Sequence, residues 1–302
     1  MPSERPTMKR ILVLLHKHDA AFTSVDYLVK LMMREWEEIG FIVTVARGID
    51  SFVPADIVIP HIDLTVTPNA YDAFLSQYSL AINRSVIDIS KSRISANLVE
   101  EGDSYTGPVI IKTNRNHGGL PERRLSRGRR IPSIVRNLLG RIMSRVRQKR
   151  NGHVAWQYVR YLAPGTYPVF SSLQEVPEKI FANENLVVEK FLPEIEQGNY
   201  CLRSHFFLGD REVNTVLRSK QPVVKLANSV QVEEGSTPPE VYSFRQRLGI
   251  DYGKIDYVLR DGKAVVFDFN RTPTIEASEL GRKAARHLAQ GIWSKLNEVK
   301  AT

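Results

Sequence analysis

Along the first third of the chain, apolar residues recur in two alternating rhythms. KRILVLLH (9–16), FIVTVARG (41–48) and ADIVIPHI (55–62) are short apolar runs of strand length. Between the first two, SVDYLVKLMMREWEEIG places Leu28, Leu31, Met32 and Trp36 at the three-and-four spacing of a helix face. This βαβ rhythm predicts a small parallel sheet with helices on its faces. The spacing predicts a helix over 24–39, with Ser24 as its N-cap, Asp26 in its first turn and Gly40 as its stop. A further helix opens at Pro68, VIDISKSRISANLV (86–99) reads as another, and GPVIIK (107–112) as a buried strand.

Beyond the glycine pair Gly118 and Gly119, Ile131, Ile134, Val135, Leu138, Leu139, Ile142, Met143 and Val146 draw an amphipathic helical stripe. A helix near 172–182 and the strands LVVEKF (186–191), NYCLRSHFF (199–207) and EVNTVLRS (212–219) follow, the last two joined by a turn at Gly209 and Asp210. Then come a helix from Pro238 or Pro239 to Leu248, a hairpin of DYGKIDYVLR (251–260) and KAVVFDFN (263–270) turning at Asp261 and Gly262, and a final helix to about Val299. No internal repeat interrupts this order.

Composition changes the picture in three ways. With 302 residues, 42% hydrophobic and 25% charged, the chain is long enough for two or three lobes with cores and too apolar for disorder. A single cysteine, Cys201, excludes an internal disulfide and a multi-thiolate zinc site, and points to a reducing cytoplasm. The apolar run Ile11 to Leu15 is too short for a signal-peptide core or a spanning helix. The net charge of +9 is local: residues 123–150 hold eleven Arg and Lys and no acid, and without them 31 basic residues face 33 acidic ones. That segment either packs its apolar stripe on the protein with its arginines in water, covers an anionic substrate, or meets an acidic partner or an anionic membrane surface. No aromatic residues interleave the arginines, so specific nucleic-acid recognition is not expected.

The stretch FDFNRTPT (267–274) carries the most chemistry. Strand alternation puts Asp268 and Asn270 on one face, and across the hairpin Asp256 pairs near 267 to 268, with Ile255 and Tyr257 turned the other way. Two carboxylates and an amide are hard oxygen donors of the kind Mg²⁺ takes while keeping positions for phosphate oxygens. The alternative is the polar solvent face of a hairpin. A GxxxxGK[ST] phosphate loop is absent, and GIDYGKI (249–255) has the wrong spacing for one. HKHD (16–19) and PHID (60–63) end strands of the parallel sheet, where ligands of such sheets sit, so His16, His18, Asp19, His61 and Asp63 are candidates for substrate contact or ordinary loop polarity. Cys201 lies in an apolar strand and reads as core.

DYGKIDYVLRDGKAVVFDFNRTPT resembles the magnesium-binding hairpin of the ATP-grasp superfamily, and the order of the other motifs is similar to that of its glutathione synthetase-like and ribosomal-protein glutamate ligase-like members. The resemblance covers roughly residues 80–275, with the first 80 like the small α/β lobe that precedes the grasp in glutathione synthetase and D-alanine ligase. It implies an α/β (α+β) fold with an N-terminal parallel lobe (1–83), a central lid region (84–192) and a C-terminal metal-binding lobe (193–302). By the same resemblance Lys91 and Lys112 hold nucleotide phosphates, Glu189, Lys190, Phe191 and Leu192 line the adenine pocket, and Glu196 or Glu194 meets the ribose. Asp256, Asp268 and Asn270 take two Mg²⁺ ions, and Arg203 points to phosphate or substrate. Apart from the resemblance, Lys225, Arg218 and Lys220 in VLRSKQPVVKLAN either approach the γ-phosphate or a substrate carboxylate or are solvated surface. The glycine-rich lid is represented only by NRNHGGLPE (114–122).

The implied activity is ATP- and Mg²⁺-dependent carboxylate–amine ligation through an acyl phosphate, with small-molecule carboxylate and amine substrates and a homodimer as an open option. The alternatives are a kinase of the same fold phosphorylating a hydroxyl, or a non-catalytic ATP-binding membrane-peripheral protein.

Overall fold

The computed structural model describes residues 8–125, 154–163 and 166–301. The expected basic helix falls, from residue 126 onward, outside the described residues. Among the described residues no helix is long and apolar enough to cross a membrane. The chain divides into two compact units, a larger one of residues 1–97 with 192–302 and a smaller one of 98–191. Residues 1–83 and 193–302 therefore pack within one unit.

The larger unit begins with strand β1 (Arg10–Leu15), helix α1 (Leu28–Glu38), β2 (Ile42–Arg47) and β3 (Ile57–His61). They form the expected parallel sheet, in the order β2-β1-β3. β1 is buried on both faces, which is why its sequence is a continuous apolar run rather than an alternation. Helix α1 starts at Leu28, not beside Ser24: a short 3₁₀ turn (Ala21–Thr23) precedes it, and Asp19 Oδ1 accepts from the Ala21 and Phe22 amides at 2.9 and 3.1 Å. An acid closer to the strand thus caps a turn that lies before the expected helix, and Ser24 caps nothing in that helix. Helix α2 is Asn69–Leu75, following Pro68 as expected. Of the helix read over 86–99 only α3 (Lys91–Ile94) forms. Asp88 Oδ1 instead takes the Ser90 amide at 2.8 Å, a side-chain turn that competes with helix, and Ala96 N–H donates to the Val266 carbonyl at 2.9 Å.

In the smaller unit β4 (Val109–Thr113) is central to a three-stranded antiparallel sheet. Helix α4 (Leu120–Leu125) follows it, and β5 (Val169–Phe170), helix α5 (Glu178–Phe181) and β6 (Leu186–Lys190) complete the unit, with strand order β5-β4-β6. The single helix expected over 172–182 is split into a 3₁₀ turn (Leu173–Glu175) and α5 because Pro177 cannot continue a helix.

The larger unit resumes with β7 (Glu194–Glu196), β8 (Asn199–Leu208), β9 (Arg211–Ser219), β10 (Ser229–Glu234), helix α6 (Pro239–Leu248), β11 (Tyr252–Arg260) and β12 (Lys263–Asn270). Their antiparallel sheet runs β10-β9-β8-β11-β12, with β7 paired to β8. The expected final helix is two, α7 (Glu279–Ala289) and α8 (Ile292–Ala301). The break lies at Gly291, where a Cβ would stand 1.8 Å from the Leu208 carbonyl oxygen. Trp36 Nε1 donates to the Ala289 carbonyl at 2.9 Å, and α1, α7 and the parallel sheet share one core containing Trp36, Met32, Ala285 and Leu288.

Candidate functional site

The β11–β12 hairpin turns on Asp261 (φ 52°) and Gly262 (φ 77°), the paired left-handed residues of a tight two-residue hairpin. From the turn the ladder is regular to Tyr257 opposite Val266, and it resumes at Asp256 opposite Asp268. Phe267 is the extra residue of a β-bulge on β12. Strict alternation would have put Val266, Asp268 and Asn270 on one face. The bulge reverses the phase, so Val266 and Phe269 both enter the apolar core with Ile255, Tyr257 and Phe207, while Asp268 and Asn270 leave it. The face the sequence expected for the two polar residues is right, but it depends on an irregularity that alternation alone does not foresee.

Cross-strand register then assembles a small grid on the polar face. Ser204 of β8, Asp256 of β11 and Asp268 of β12 lie in one row, and Phe206, Lys254 and Asn270 in the next. Ser204 Oγ donates to Asp256 Oδ1 at 2.6 Å, and Lys254 Nζ to Asp256 Oδ2 at 2.8 Å. Lys91, the first residue of α3 and almost fully buried, donates to Asp268 Oδ1 at 2.9 Å. Burial works against the Lys254 charge, yet Asp256, with Asp268 beyond it, raises that ammonium's pKa above its ordinary value. Asn270 Oδ1 accepts from the Thr272 amide at 2.9 Å and its hydroxyl at 3.2 Å. Thr272 Oγ1 lies 2.9 Å from Asp63 Oδ1, and Tyr27 donates to Asp63 Oδ2 at 3.0 Å, so a hydrogen-bonded chain runs from the end of β3 to the end of β12.

Arg271, between these residues, is buried and anchors the strand end. Its guanidinium donates to the Thr65 and Ile87 carbonyls at 3.1 and 3.0 Å and also bonds Thr67 Oγ1. Burial lowers its pKa to about 10.

Four of the expected residues, Lys91, Asp256, Asp268 and Asn270, are thus brought together, whereas Arg203 and Glu196 are not. Arg203 pairs in register with Tyr257 and lies on the opposite sheet face. There its Nε and Nη2 contact Glu194 at 2.6–3.1 Å, and Nη2 contacts Glu196 at 2.6 Å. Glu194 also accepts the Leu259 amide at 2.6 Å. Arg218 bridges Glu196 at 2.8 Å and Glu233 at 3.1 Å and touches Cys201 Sγ at 3.2 Å. The Arg218 hydrogen bond, opposed by burial, lowers the Glu196 pKa, and burial raises that of the Cys201 thiol. Glu194, Glu196 and Cys201 bring metal-capable atoms within 4.8 Å of one another, but the two arginines already bond them. Lys225 lies in the loop before β10. Its amide donates to Asn228 Oδ1 at 2.8 Å, burial lowers its side-chain pKa, and its ammonium has no ion-pair partner among the described residues. Leu192 is partly buried.

In the smaller unit Lys112 Nζ donates to Glu189 Oε2 at 2.6 Å, a diagonal pair across β4 and β6. Glu189 is fully buried, and its Oε1 has no hydrogen-bond partner among the described residues. The Lys190 ammonium lies 5.2 Å from the Tyr105 ring centroid, and the Phe191 amide donates to the Pro108 carbonyl at 2.8 Å. In the glycine-rich loop His117, Gly118 and Gly119 all have positive φ, and a Cβ on Gly119 would meet the Tyr161 ring at 2.8 Å.

At the end of β1, His16 stacks on Tyr71 and its Nδ1 accepts from the His18 amide at 3.2 Å. Asp19 caps the following turn. His61, at the end of β3, is fully buried against Tyr27 and Phe22, neither ring nitrogen has a hydrogen-bond partner among the described residues, and burial lowers its pKa to about 3.

The residues that sequence reasoning passed over here are Lys254, Ser204, Thr272 and Arg271. Lys254 was legible by counting back two from Asp256. Ser204 needed the β8 register, and the others needed the tertiary fold.

No family model and no curated protein matches the chain. Among solved structures, D-alanine–D-alanine ligase from Bacillus anthracis aligns at 11% identity and a TM-score of 0.49, over 97% of this chain and 99% of that one. A RimK domain ATP-grasp protein from Sphaerobacter thermophilus aligns at 10% identity and 0.47, over 94% and 99%. A RiPP-associated ATP-grasp ligase from Chryseobacterium gregarium, solved with ADP and a leader and core peptide, aligns at 10% and 0.49, over 94% and 97%. The chain, a mixed α/β fold with one parallel and two antiparallel sheets among its described residues, is similar along nearly its whole length to these ligase and ATP-grasp structures.

Proposed function

We propose that the chain is an ATP-dependent carboxylate–amine ligase. The observation that carries this reading is the convergence of the buried Lys91 with Asp268, Asp256 and Asn270 on the polar face of one hairpin. The donor set fits a hard divalent cation: carboxylate and amide oxygens, with no sulfur or imidazole among them. Asp268 and Asn270, with Asp256 beside them, would hold Mg²⁺, which neutralises phosphate charge when bound.

Transfer of a terminal phosphoryl group requires positioning and charge stabilisation rather than a protein nucleophile. A substrate carboxylate oxygen attacks the γ-phosphorus, the bond to ADP breaks, and an acyl phosphate forms. An amine nitrogen then attacks the acyl carbon, phosphate leaves, and the nitrogen loses a proton. The Lys91 ammonium supplies a fixed positive charge at the phosphates, and the hydrogen bonds of Thr272 orient the Asn270 amide. In the smaller unit taken alone, Lys112 and the strand end Glu189–Lys190–Phe191 are a separate proposed nucleotide-contacting set, and Glu189 Oε1 is a buried acceptor still able to take a donor. Lys225 is retained as a candidate for contact with an anionic substrate group, because its ammonium has no ion-pair partner among the described residues and burial disfavours its charge. Arg203 and Glu196 are not, because they bond one another on the opposite face.

The test is ATP turnover measured as phosphate release across amino acids, peptides and sugar acids, with and without an amine. Asp268→Ala and Asn270→Ala should each abolish turnover while circular dichroism stays native. Unchanged turnover in both would sink the site. A stable phosphorylated product formed without any amine would replace ligation by the kinase reading.

A further inference from the structure

Lys254 occupies a position that the ligase reading does not use. It lies opposite Asn270 on β12 and opposite Phe206 on β8, one row away from Asp256 on the same face. Rows two residues apart along a strand are separated by roughly 6.6–7 Å, and the lysine stem bridges that gap, bringing Nζ to 2.8 Å from Asp256 Oδ2. With Ser204 Oγ on Oδ1, both oxygens of Asp256 are already bonded. The ion pair is sheltered, its side chains only 23% and 12% exposed, and the Phe206 ring lies 5.9 Å from the ammonium on the other flank. The count of charges points the same way. Asp256 and Asp268 carry two negative charges, and Lys254 and Lys91 carry two positive ones in direct contact with them. A second divalent cation at Asp256 would have to displace the sheltered Lys254 ammonium from that carboxylate.

Resting on the ATP reading of this face, we infer that the site takes one divalent cation rather than two, the Lys254 ammonium serving at Asp256 in place of the second. Asp268 and Asn270 hold the single ion, and Asp256 holds Lys254. Lys254 is in this sense a positioning residue, an internal cation fixed by the fold.

The experiment counts Mn²⁺ bound to the full chain saturated with a β,γ-imido analogue of ATP, by electron paramagnetic resonance of bound and free ion. The wild type and Lys254→Arg should each retain one Mn²⁺ per chain. Lys254→Met, which leaves Asp256 without its cation, should retain two, with the exchange-coupled spectrum of a manganese pair about 3.5–4 Å apart. Two ions in the wild type overturn the inference, and so does a natively folded Lys254→Met that still holds one. Should Lys254→Met fail to fold, the wild-type count decides alone, one supporting and two overturning. An analogue that binds with no Mn²⁺ overturns the metal site. An analogue that does not bind at all overturns the ATP reading itself, and is told apart by nucleotide retention measured in the same samples.

Discussion

Replacing Arg203 by methionine separates a structural cation from a catalytic one. The guanidinium is 12% exposed and Glu194, its main partner, 5%. The substitution keeps most of the apolar stem and removes three contacts of 2.6–3.1 Å to Glu194 and one of 2.6 Å to Glu196. An exposed ion pair would be worth about 0–1 kcal/mol, whereas stranding one partner of a buried pair costs about 3–5 kcal/mol. Glu194 keeps the Leu259 amide at 2.6 Å, and Glu196, more exposed, keeps Arg218. The expected loss therefore lies at the lower end, about 3 kcal/mol, or roughly a hundredfold in the folding equilibrium. Because the chain has two compact units, the larger should be followed alone. Of the three tryptophans Trp156 belongs to the smaller unit, so urea unfolding by fluorescence in a Trp156→Phe background reports Trp36 and Trp293. Glu194→Gln and the double variant complete a cycle, in which a coupling above about 1 kcal/mol is expected for groups in direct contact. A loss below about 1 kcal/mol together with a large fall in turnover per folded molecule would refute the structural assignment and restore Arg203 to the reacting groups.

Two other outcomes follow from burial. His61 stays neutral in the folded chain down to about pH 3 but takes a proton in the unfolded chain near its ordinary pKa. Its contribution is therefore complete above about pH 6.5 and is lost as pH falls from there toward 3, because the unfolded state binds the extra proton. His205, lowered to about 4 chiefly by burial, acts with the same sign. His61→Leu should flatten the acid limb of stability against pH, and an unchanged slope would show that the imidazole is not held neutral. The Cys201 thiol, buried and pushed up in pKa by that burial, should resist a disulfide reagent until the protein unfolds, and stoichiometric labelling of native protein would contradict that packing.

The parallel sheet was legible because β1 and β3 each hold an unbroken apolar run, Ile11 to Leu15 and Ile57 to Pro60, and α1 is strongly periodic. The hairpin was legible because a two-residue turn with Asp-Gly fixes register. What escaped had physical reasons. Asp88 and Pro177 redirect the chain locally where helical spacing suggested continuity. β10, with an exposed outer face, and the three-residue β7 offer too little pattern to read. Arg203 entered the expected site only through the resemblance of its strand to the paired strands of the ATP-grasp fold. Only the register shows that it faces Tyr257 and not Asp256. Lys254, conversely, sits in the stretch GIDYGKI that lacks phosphate-loop spacing, yet its parity with Asp256 places it on the same face.

The bulge at Phe267 also bears on how the hairpin forms. From the Asp261–Gly262 turn the pairing keeps one register as far as Tyr257 and Val266. A ladder that continued straight past that point would drive Asp268 and Asn270 toward the oily side and expel Phe269, an arrangement with a heavy desolvation penalty. The skipped residue thus divides the hairpin into two segments of opposite phase, and neither can slide along its partner without misplacing the other. The carboxylate end therefore pairs in one alignment only, and a slipped register is disfavoured by the same residues that compose the site.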